Sequence, residues 1–299
     1  MASLSPSSNS SLSALSLAAS LLTAHKLPPH GVAPSQLPIP KPLLTLAPVQ
    51  EVFSSIQGEG PWVGVRQAFV RFAHCHLQCA YCDTPMTTPT GQAVWEPIPG
   101  SHRWHPIETQ DEYHRLSVAD VVSLVLALEQ QAPLHSVSLT GGEPLLQTPF
   151  LTQLLPALQG HGLATYLETS GTQPHFLAQV MPWVTYVSMD CKLPSSAQQS
   201  PKWEAHAQFY STARQHLPMD SVWLKCVINP STTVEELAQL CQVTESERPL
   251  VLLQPQSAIR PNEAVQLSAQ QLLTLEASLS RLGYTVRVIP QLHKYLELS

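Results

Sequence analysis

The sequence predicts an α/β fold built around a largely parallel β-sheet. Strand-like segments alternate with helical segments along most of the 299 residues, an order that is typical of βαβ units. Apolar residues make up 43% of the chain, which is enough for a packed core in one domain of barrel size. About six such units predict either an incomplete barrel or a doubly wound sheet.

Strands are predicted where short apolar, aromatic or β-branched runs are bounded by turn or helix signals. The first run, Gln67 to Phe72, leads directly into a group of cysteines, and the second ends at a Gly-Gly pair. Helical segments separate most of the later strands, as parallel pairing requires. The predicted strands are residues 67–72, 136–140, 164–169, 185–190, 221–228, 250–254 and 284–289.

Helices are predicted from their end signals as well as from periodicity. Ser117 with Asp120 resembles a capping box, which predicts a helix from there to about residue 131. Pro149 suits the first turn of the next helix, and Gly283 suits the C-cap of the last one. The other predicted helices are residues 175–181, 202–216, 234–241 and 269–282.

The N-terminal segment differs in amino-acid composition from the rest of the chain. Residues 1–45 are rich in Ser, Ala and Pro, and such a composition predicts a disordered extension before a domain at residues 46–299. The apolar stretch at residues 14–24 is not preceded by any basic residue, since Lys26 is the first. This order argues against a secretory signal, although import into an organelle remains an alternative.

A second unusual segment, residues 85–116, is rich in Pro, Trp and His and shows no clear period. It is predicted to be an irregular insertion in the domain. Its large side chains suit a lid or a dimer contact, with a loosely packed surface loop as the alternative. These side chains are Trp95, Trp104, His102 and His105.

Charge and cysteine content limit the compartment and the partners. The net charge is −6, and Lys and Arg form no block, so neither a nucleic acid nor an anionic membrane is expected as a partner. No apolar run approaches the length of about 20 residues that spans a bilayer. Six cysteines in a chain of this size, three of them tightly grouped, favour a metal site in a reducing compartment, so a cytoplasmic protein is expected.

Polar or glycine-containing segments follow the predicted strands where each strand ends. Because ligands bind at the carboxyl ends of the strands in parallel α/β folds, these segments predict one site on one rim. The cysteines follow the first strand, and Gly141-Gly142-Glu143-Pro144 follows the second. The later strands are followed or ended by Glu168 to Gly171, Asp190 with Lys192, Lys225 with Asn229, Gln254, and Gln291 to Lys294.

The grouped cysteines are Cys75, Cys79 and Cys82, in a CxxxCxxC spacing. Thiolates suit zinc or iron–sulfur clusters. No fourth cysteine lies nearby, so a 4Fe–4S cluster held here would keep one iron open for a small molecule. The alternative is a zinc site completed by His74 or His76.

The remaining cysteines, Cys191, Cys226 and Cys241, are dispersed along the chain. Free cysteine is among the most buried residue types. They are therefore predicted to be buried core thiols rather than ligands.

The CxxxCxxC motif, followed about 60 residues later by GGEP after a strand, resembles the signature of radical S-adenosylmethionine (SAM) enzymes. This resemblance implies an incomplete (β/α)6 TIM-like barrel. It also implies a cluster on the three cysteines whose open iron binds the methionine portion of SAM, so that reductive cleavage gives a 5′-deoxyadenosyl radical. The positions implied to contact SAM are Tyr81, Asp83, Gly142, Ser188, Lys192, Gln254 and Gln256. A solvated lysine on the rim is the alternative for Lys192.

Two further segments, Phe53 to Gly60 (FSSIQGEG) and Pro290 to Lys294 (PQLHK), narrow the resemblance. With Arg71 and Cys82-Asp83-Thr84 they are similar to 7-carboxy-7-deazaguanine synthases. This family's substrate is 6-carboxy-5,6,7,8-tetrahydropterin, and Arg71 offers a bidentate fork for its carboxylate. A surface ion pair is the alternative for Arg71. The positions implied to bind substrate are Ile56, Gln57, Gly58, Glu59, Arg71, Thr140, His293 and the carboxylate of Ser299, while Thr84 is implied to bind Mg²⁺.

The second resemblance also implies the reaction and its partners. The expected reaction removes hydrogen from C6 of the pterin, contracts the ring, releases ammonia and regenerates SAM, and it serves 7-deazapurine and queuosine synthesis. A reducing electron donor such as flavodoxin or ferredoxin and a homodimer are expected. Two alternatives stay open: a glycyl-radical-activating enzyme, which shares CxxxCxxC and GGEP, and a non-catalytic zinc-binding module.

Overall fold

The computed structural model of the protein describes residues 45–82, 95–97, 103–106, 115–257 and 266–297. The predicted N-terminal extension, apart from its last residue, and most of the predicted insertion lie outside these residues. Asp83, Thr84 and Ser299 also lie outside them. Their predicted roles therefore stay predictions.

Eleven strands and nine α-helices lie in the described residues. The strands are β1 (Leu46–Ile56), β2 (Arg66–Phe72), β3 (Trp95–Pro97), β4 (Arg103–Pro106), β5 (Arg115–Ser117), β6 (Ser136–Gly141), β7 (Thr165–Thr169), β8 (Tyr186–Asp190), β9 (Val222–Ile228), β10 (Leu250–Pro255) and β11 (Thr285–Val288). The helices are α1 (Val118–Gln131), α2 (Thr148–Gly160), α3 (Pro174–Val180), α4 (Pro194–Ala197), α5 (Trp203–Arg214), α6 (Val234–Ala238), α7 (Leu240–Thr244), α8 (Ala269–Arg281) and α9 (Leu292–Tyr295).

The strands form one sheet in the order β11-β10-β9-β8-β7-β6-β2-β1-β4-β3, with β5 also on β1. In this order, every pair from β11 to β2 is parallel. The next strand, β1, is antiparallel to β2. No pairing between described residues joins β11 to the opposite edge. The sheet is therefore an open, mixed α/β sheet, and the predicted incomplete barrel is confirmed in this form.

The two faces of the parallel strands differ because side chains alternate along a strand. On β9, Val222, Leu224 and Cys226 pack with the helices in the main hydrophobic core. The alternate positions on the same strand face the concave interior, where Trp223 joins a smaller aromatic cluster and Lys225 lines a cavity. The interior is thus aromatic near the amino ends of the strands and polar near their carboxyl ends.

The helix-end signals read from the sequence are confirmed. Ser117 and Asp120 form a capping box at the start of α1: the Asp120 backbone N–H donates to Ser117 Oγ, and the Ser117 backbone N–H donates to the Asp120 carboxylate. Such a cap stabilises a helix by about 1 kcal/mol. Pro149 lies in the first turn of α2, and Gly283 follows α8 with a φ of 90°. Where one helix was predicted at residues 234–241, the structure has two short helices, α6 and α7, and α7 continues to Thr244.

Strand β1 was not predicted. Pro48 and Glu51 interrupt its apolar pattern, and proline usually counts against a strand. Tertiary pairing outweighs that local signal, since β1 pairs with β2 along its length and with β4 and β5 on its other edge. The segment predicted to be irregular contributes β3 and β4, which pair with each other.

Within the described part of the chain, no helix is both long and apolar enough to cross a bilayer.

Candidate active site at the carboxyl ends of the strands

A cavity of about 230 Å³ opens at the carboxyl ends of the parallel strands. Every predicted site residue that the structure describes lines it. These residues are Ile56, Gln57, Gly58, Glu59, Arg71, Cys75, Cys79, Tyr81, Cys82, Thr140, Gly142, Ser188, Lys192, Gln254, Gln256 and His293. Residues spread over most of the chain therefore converge, as the rule for parallel α/β sheets predicts.

The cysteine loop follows β2 directly and bends back on itself. The Leu77 backbone N–H points to Cys75 Sγ at 3.4 Å, and the Cys82 backbone N–H donates to the carbonyl of Cys79 at 3.0 Å. Gln199 donates to Cys79 Sγ at 3.7 Å. Burial raises the pKa of both Cys75 and Cys79, so these thiols hold their protons until a metal replaces them.

The Gly-Gly turn after β6 packs against the start of this loop. Gly141 has a φ of 111°, in the region that favours glycine. Gly142 donates its backbone N–H to the carbonyl of Phe72 at 2.9 Å. A Cβ on Gly142 would lie 1.9 Å from the carbonyl oxygen of His74. Only glycine lets the two backbones approach this closely, so the turn sets the position of the cysteine loop.

Glu143 holds the same turn to the end of β7. Its side chain is fully buried. It accepts hydrogen bonds from the hydroxyl groups of Thr169 and Ser170, at 2.7 and 2.6 Å, and from the backbone N–H groups of Leu145 and Ser170. A buried carboxylate with this many donors is a rigid structural element. The acidic residue of GGEP therefore supports the turn.

The residues present fit a 4Fe–4S cluster with SAM. Three thiols line one cavity, and a glycine turn lets the backbone pass close beside them. The zinc alternative fits less well, because His76 Nε2 lies 2.7 Å from Thr172 Oγ1. In the described residues, no three His, Cys, Asp or Glu side chains converge on a point that could hold a single metal ion. Cysteine thiolates are the usual ligands of iron–sulfur clusters.

In the wall of the cavity, Tyr81, Asp190 and Lys192 form one contact group. Lys192 Nζ donates to Asp190 Oδ2 at 2.9 Å and to the Tyr81 hydroxyl oxygen at 3.1 Å. The Tyr81 hydroxyl donates to Asp190 Oδ1 at 3.4 Å. Although burial alone would raise the pKa of Asp190, Lys192 and Lys225 lower it to about 2. Lys192 is thus a paired, largely buried residue rather than a solvated rim lysine.

His206, which the sequence did not single out, fixes the backbone of Lys192. Its side chain is fully buried on α5. The Lys192 backbone N–H donates to His206 Nε2 at 3.1 Å, so Nδ1 carries the proton and donates to the carbonyl of Gly171 at 3.0 Å. Both ring nitrogens are used by a neutral imidazole. Burial lowers the pKa of His206 to about 4.

This geometry predicts an acid-sensitive loss of stability. Because the fold keeps His206 neutral, the unfolded chain binds more protons between pH about 6.5 and about 4, and stability rises with pH in that window. The contribution is complete above pH about 6.5 and is lost towards pH 4, by about 3 kcal/mol in all. Denaturant unfolding of wild type and His206→Gln at pH 7 and pH 5 measures it. The wild type should lose more stability on acidification than the variant, and equal losses would contradict the assignment.

On the opposite side of the cavity, Glu59 lies at the centre of a hydrogen-bonded group. Its carboxylate accepts from Lys225 Nζ at 2.7 Å, from Gln254 Nε2 at 3.1 Å and from Gln291 Nε2 at 2.9 Å. Burial would raise the pKa of Glu59, but the nearby Lys225 ammonium outweighs it and lowers the pKa. Glu59 is therefore ionised, and Oε2 keeps one acceptor position. Gln254, predicted to contact SAM, lies in this group.

Gln57 and Glu168 form a second polar group beside it. Gln57 Nε2 donates to Gln67 and to Glu168, and Gln57 Oε1 accepts the backbone N–H of Glu59. Both amide hydrogens of Gln57 are thus used within the protein. Glu168 also accepts from the hydroxyl groups of Ser138 and Thr140, each at 2.9 Å. Gln57 therefore orients the loop, while Glu168 presents a carboxylate to the cavity.

Arg71 makes the ion pair that the sequence left as its alternative, and it also lines the cavity. Its Nε donates to Glu51 Oε1 at 2.7 Å. The guanidinium carbon lies 5.6 Å from the centre of the Phe53 ring. Since Glu51 and Arg71 are direct neighbours across β1 and β2, the pair follows from the register of the sheet.

The C-terminal segment closes one side of the cavity. The backbone N–H of Leu292 donates to the carbonyl of Gly58 at 3.0 Å. A Cβ on Gly58 would lie 2.1 Å from His293 Nδ1, so glycine is needed for this close approach. The contact holds PQLHK against the IQGEG loop.

Asp190, Lys225, Glu168 and His206 are functional candidates to which the sequence assigned no role. Asp190 ends β8, Glu168 is the last but one residue of β7, and Lys225 lies midway along β9. All three line the cavity, and their place on the strands was a usable signal. His206 gave no signal, because a histidine on an amphipathic helix is ordinary. Elsewhere in the cavity wall, Gln256 Oε1 accepts a hydrogen bond from Asn229 Nδ2 at 3.3 Å.

Comparison with known proteins agrees with this geometry. A family model described as the Radical SAM superfamily matches residues 69–196. The 7-carboxy-7-deazaguanine synthase of Geobacter sulfurreducens is 34% identical over 255 residues, which cover 84% of this chain and 97% of the relative. The synthase of Thermococcus kodakarensis is 31% identical over 262 residues, which cover 83% of this chain and 97% of the relative.

Solved structures share the fold at lower identity. The crystal structure of QueE from Escherichia coli superposes with a TM-score of 0.51 at 20% identity, covering 81% of this chain and 93% of that one. A radical SAM methyltransferase from Sphaerobacter thermophilus gives a TM-score of 0.53 at 13% identity, covering 82% and 77%. The fold is therefore of the radical SAM type. With two relatives above 30% identity that the chain covers almost completely, the chain belongs to the 7-carboxy-7-deazaguanine synthase family of radical SAM enzymes.

Proposed function

We propose that the protein converts 6-carboxy-5,6,7,8-tetrahydropterin to 7-carboxy-7-deazaguanine with loss of ammonia, as a step in 7-deazapurine synthesis such as that of queuosine. The observation that carries the proposal is one cavity lined both by the three cysteines and by Glu59, Glu168 and Arg71. Substrate and product differ by one ammonia, so the reaction needs no net oxidant. Family membership favours this reaction over glycyl-radical activation and over a zinc module.

The cofactor half of the site is the end that carries the cysteines and Gly142. When bound, the 4Fe–4S cluster and SAM would supply a 5′-deoxyadenosyl radical. Cys75, Cys79 and Cys82 would hold the cluster, and the Gly142 backbone would lie beside the methionine portion. Tyr81 and Lys192, fixed by Asp190, present a ring face and an ammonium group to the same space. Ser188 and Gln256, which also line the cavity, are assigned to SAM by analogy with the family.

The substrate half is suited to a flat heterocycle with several N–H groups. Glu59 and Glu168 each keep one acceptor position after their protein partners are counted. Two fixed carboxylates can accept hydrogen bonds from the amino and ring N–H groups of a pterin. His293 and the backbone of Ile56 and Gly58 complete the wall. Holding the ring in this way aligns the hydrogen to be removed and keeps water from the reacting carbon.

Arg71 is assigned to the substrate carboxylate. Its Nε donates a hydrogen bond to Glu51. The substrate carboxylate would therefore bind to the terminal NH groups of the guanidinium. Arg71→Lys removes the fork while keeping the charge. We expect the KM for carboxytetrahydropterin to rise by about tenfold or more, while the enzyme still cleaves SAM reductively in the absence of substrate. Steady-state kinetics and 5′-deoxyadenosine assays measure both. An unchanged KM would show that Arg71 is misassigned.

Further partners are proposed by analogy with the family. Mg²⁺ would bind at Thr84 with substrate oxygens, and Ser299 would contact the substrate. A reducing donor such as flavodoxin or ferredoxin would deliver the electron, and the enzyme would act as a homodimer. These assignments concern residues or surfaces beyond the described cavity.

The proposal is tested by anaerobic reconstitution of the full chain. We expect about four irons per chain, reductive cleavage of SAM, and conversion of carboxytetrahydropterin to the deazaguanine product, followed by mass spectrometry. Release of ammonia in equal amount to product checks the stoichiometry. A reconstituted protein that cleaves SAM but leaves the pterin unchanged would overturn the substrate assignment, and one zinc with no iron would overturn the enzyme assignment.

A further inference from the structure

Lys225 is the charged residue in the cavity wall whose contacts join the two halves of the site. It lies on the inner face of β9, and its side chain is only 15% exposed. Its Nζ lies 2.7 Å from Glu59 Oε2 and 3.1 Å from Asp190 Oδ2. Glu59 belongs to the proposed substrate half, and Asp190 holds Lys192 and Tyr81 in the cofactor half.

We propose that Lys225 is a positioning residue that fixes Glu59 for substrate recognition by bridging it to Asp190. The inference deepens the proposed function and rests on it, because it takes Glu59 as a substrate contact. The Lys225 ammonium pairs with two protein carboxylates, those of Glu59 and Asp190. It therefore acts through Glu59 rather than on the reacting atoms.

The charge balance of the cavity supports this role. Glu59 and Asp190 are largely buried, at 15% and 12% exposure of their side chains. Lys192 pairs with Asp190 on the far side, so among the described residues Lys225 is the cation that pairs with Glu59. A buried carboxylate without a cation tends to take up a proton. A protonated Glu59 would lose an acceptor position, and the donor groups of a pterin would lose a partner.

The asymmetry of the contacts predicts which ligand is affected. Without Lys225, Asp190 still has Lys192 at 2.9 Å. Of its side-chain donors in the described part of the chain, Glu59 then keeps the amides of Gln254 and Gln291. Loss of Lys225 should therefore weaken substrate binding much more than SAM binding.

The titratable and charged groups around Glu59 come from several elements. They are Lys225 on β9, His293 in the C-terminal segment, Tyr166 and Glu168 on β7, and, across Lys225, Asp190 on β8. With Lys225 present, the pKa of Glu59 is lowered despite burial. With Lys225 removed, burial dominates and an acid limb should appear in kcat/KM. His293 is present in wild type and variant, so the difference between their pH profiles reports on Glu59.

The test compares Lys225→Met, Lys225→Arg and wild type, each reconstituted as full-length holoenzyme. For Lys225→Met we expect the Kd of 6-carboxypterin, a stable oxidised analogue, and the KM of the substrate to rise at least about tenfold at neutral pH. The Kd of SAM should change less than about threefold. The loss of substrate affinity in Lys225→Met should become smaller as the pH rises. Lys225→Arg should restore both the substrate affinity and a kcat/KM that does not fall at acid pH.

A matched control is Arg214→Met, which removes the cation of the Arg214–Glu247 ion pair outside the cavity. It should lower thermal stability without a change in KM or pH profile. If Lys225→Met does not fold, Lys225→Gln and the Lys225→Met/Glu59→Gln pair, which removes both charges, replace it. In that pair the pH dependence should vanish.

The outcomes separate the two proposals. A wild type that binds and converts the pterin while Lys225→Met matches it in KM and pH profile overturns the role of Lys225 alone. The role of Lys225 is also overturned if Lys225→Met loses the same substrate affinity at all pH values, or if Lys225→Arg does not restore that affinity. A wild type that neither binds 6-carboxypterin nor turns over substrate overturns the proposed function and this inference with it.

Discussion

Cys79→Ala is expected to leave the protein without a stable cluster and without turnover. Among the residues that the structure describes, three thiols line the cavity and can hold the cluster, so loss of one leaves two such ligands for four irons. Cys79 is central to the loop, since Gln199 contacts its sulfur and the Ala80 backbone N–H donates to the carbonyl of Ala197 at 3.1 Å. We expect activity to fall by at least about a thousandfold, because the radical has no source.

Iron content, visible absorbance and 5′-deoxyadenosine formation after anaerobic reconstitution measure the effect. Cys241→Ala is the matched control, since Cys241 lies on α7 at the edge of the hydrophobic core and outside the cavity. The control should keep about four irons and near-normal turnover. A Cys79→Ala protein that retains iron and converts substrate would show that another residue holds the cluster.

The site could be predicted from the sequence where its signals are local. Cys75, Cys79 and Cys82 occur within eight residues, and Gly141-Gly142 follows a strand directly. Sites at strand ends are visible in the same way, because the alternation of strands and helices predicts the rim on which they meet. Asp190 is predictable on that rim for this reason, because it ends β8.

The partners of those residues could not be predicted, because they depend on contacts between distant parts of the chain. Glu59 and Lys225 are 166 positions apart and meet only when β9 and the loop after β1 are both in place. The Arg71–Glu51 pair depends on the register of β1, a strand whose Pro48 weakens its local signal. The periodicity of a sequence predicts which face of a strand a residue occupies. It does not predict which residue of another strand contacts it, so such pairs cannot be predicted from periodicity.

His206 illustrates a different limit. Its helical spacing placed it on the buried face of α5, where the ordinary expectation is packing. The structure shows instead that its two ring nitrogens join the backbones of Gly171 and Lys192. A buried polar group must be satisfied, but the sequence does not say by which partner. The cofactor half of the site is therefore held by a residue that no motif marks.

Gly142→Ala is expected to displace the cysteine loop and so lose most of the iron. The added Cβ would lie 1.9 Å from the carbonyl oxygen of His74 and 2.4 Å from its carbonyl carbon. Both atoms belong to the backbone, so no side-chain rotation relieves the clash. The turn would have to withdraw, which would break the Gly142–Phe72 and Glu143–His74 backbone hydrogen bonds of 2.9 and 2.8 Å. We expect a loss of about 2–4 kcal/mol in the free energy of unfolding.

Gly160→Ala is the matched control for this prediction. A Cβ at Gly160 would meet no atom within 4 Å, and the residue ends α2 without a left-handed φ. Alanine there should leave iron content unchanged and raise stability by up to about 1 kcal/mol. Iron per chain is measured well below the unfolding temperature, with circular dichroism to show that the sheet and helices persist. If Gly142→Ala binds iron as the wild type does, the glycine turn does not position the cysteine loop. A folded protein that has lost its iron would place the effect at the contact between Gly142 and His74.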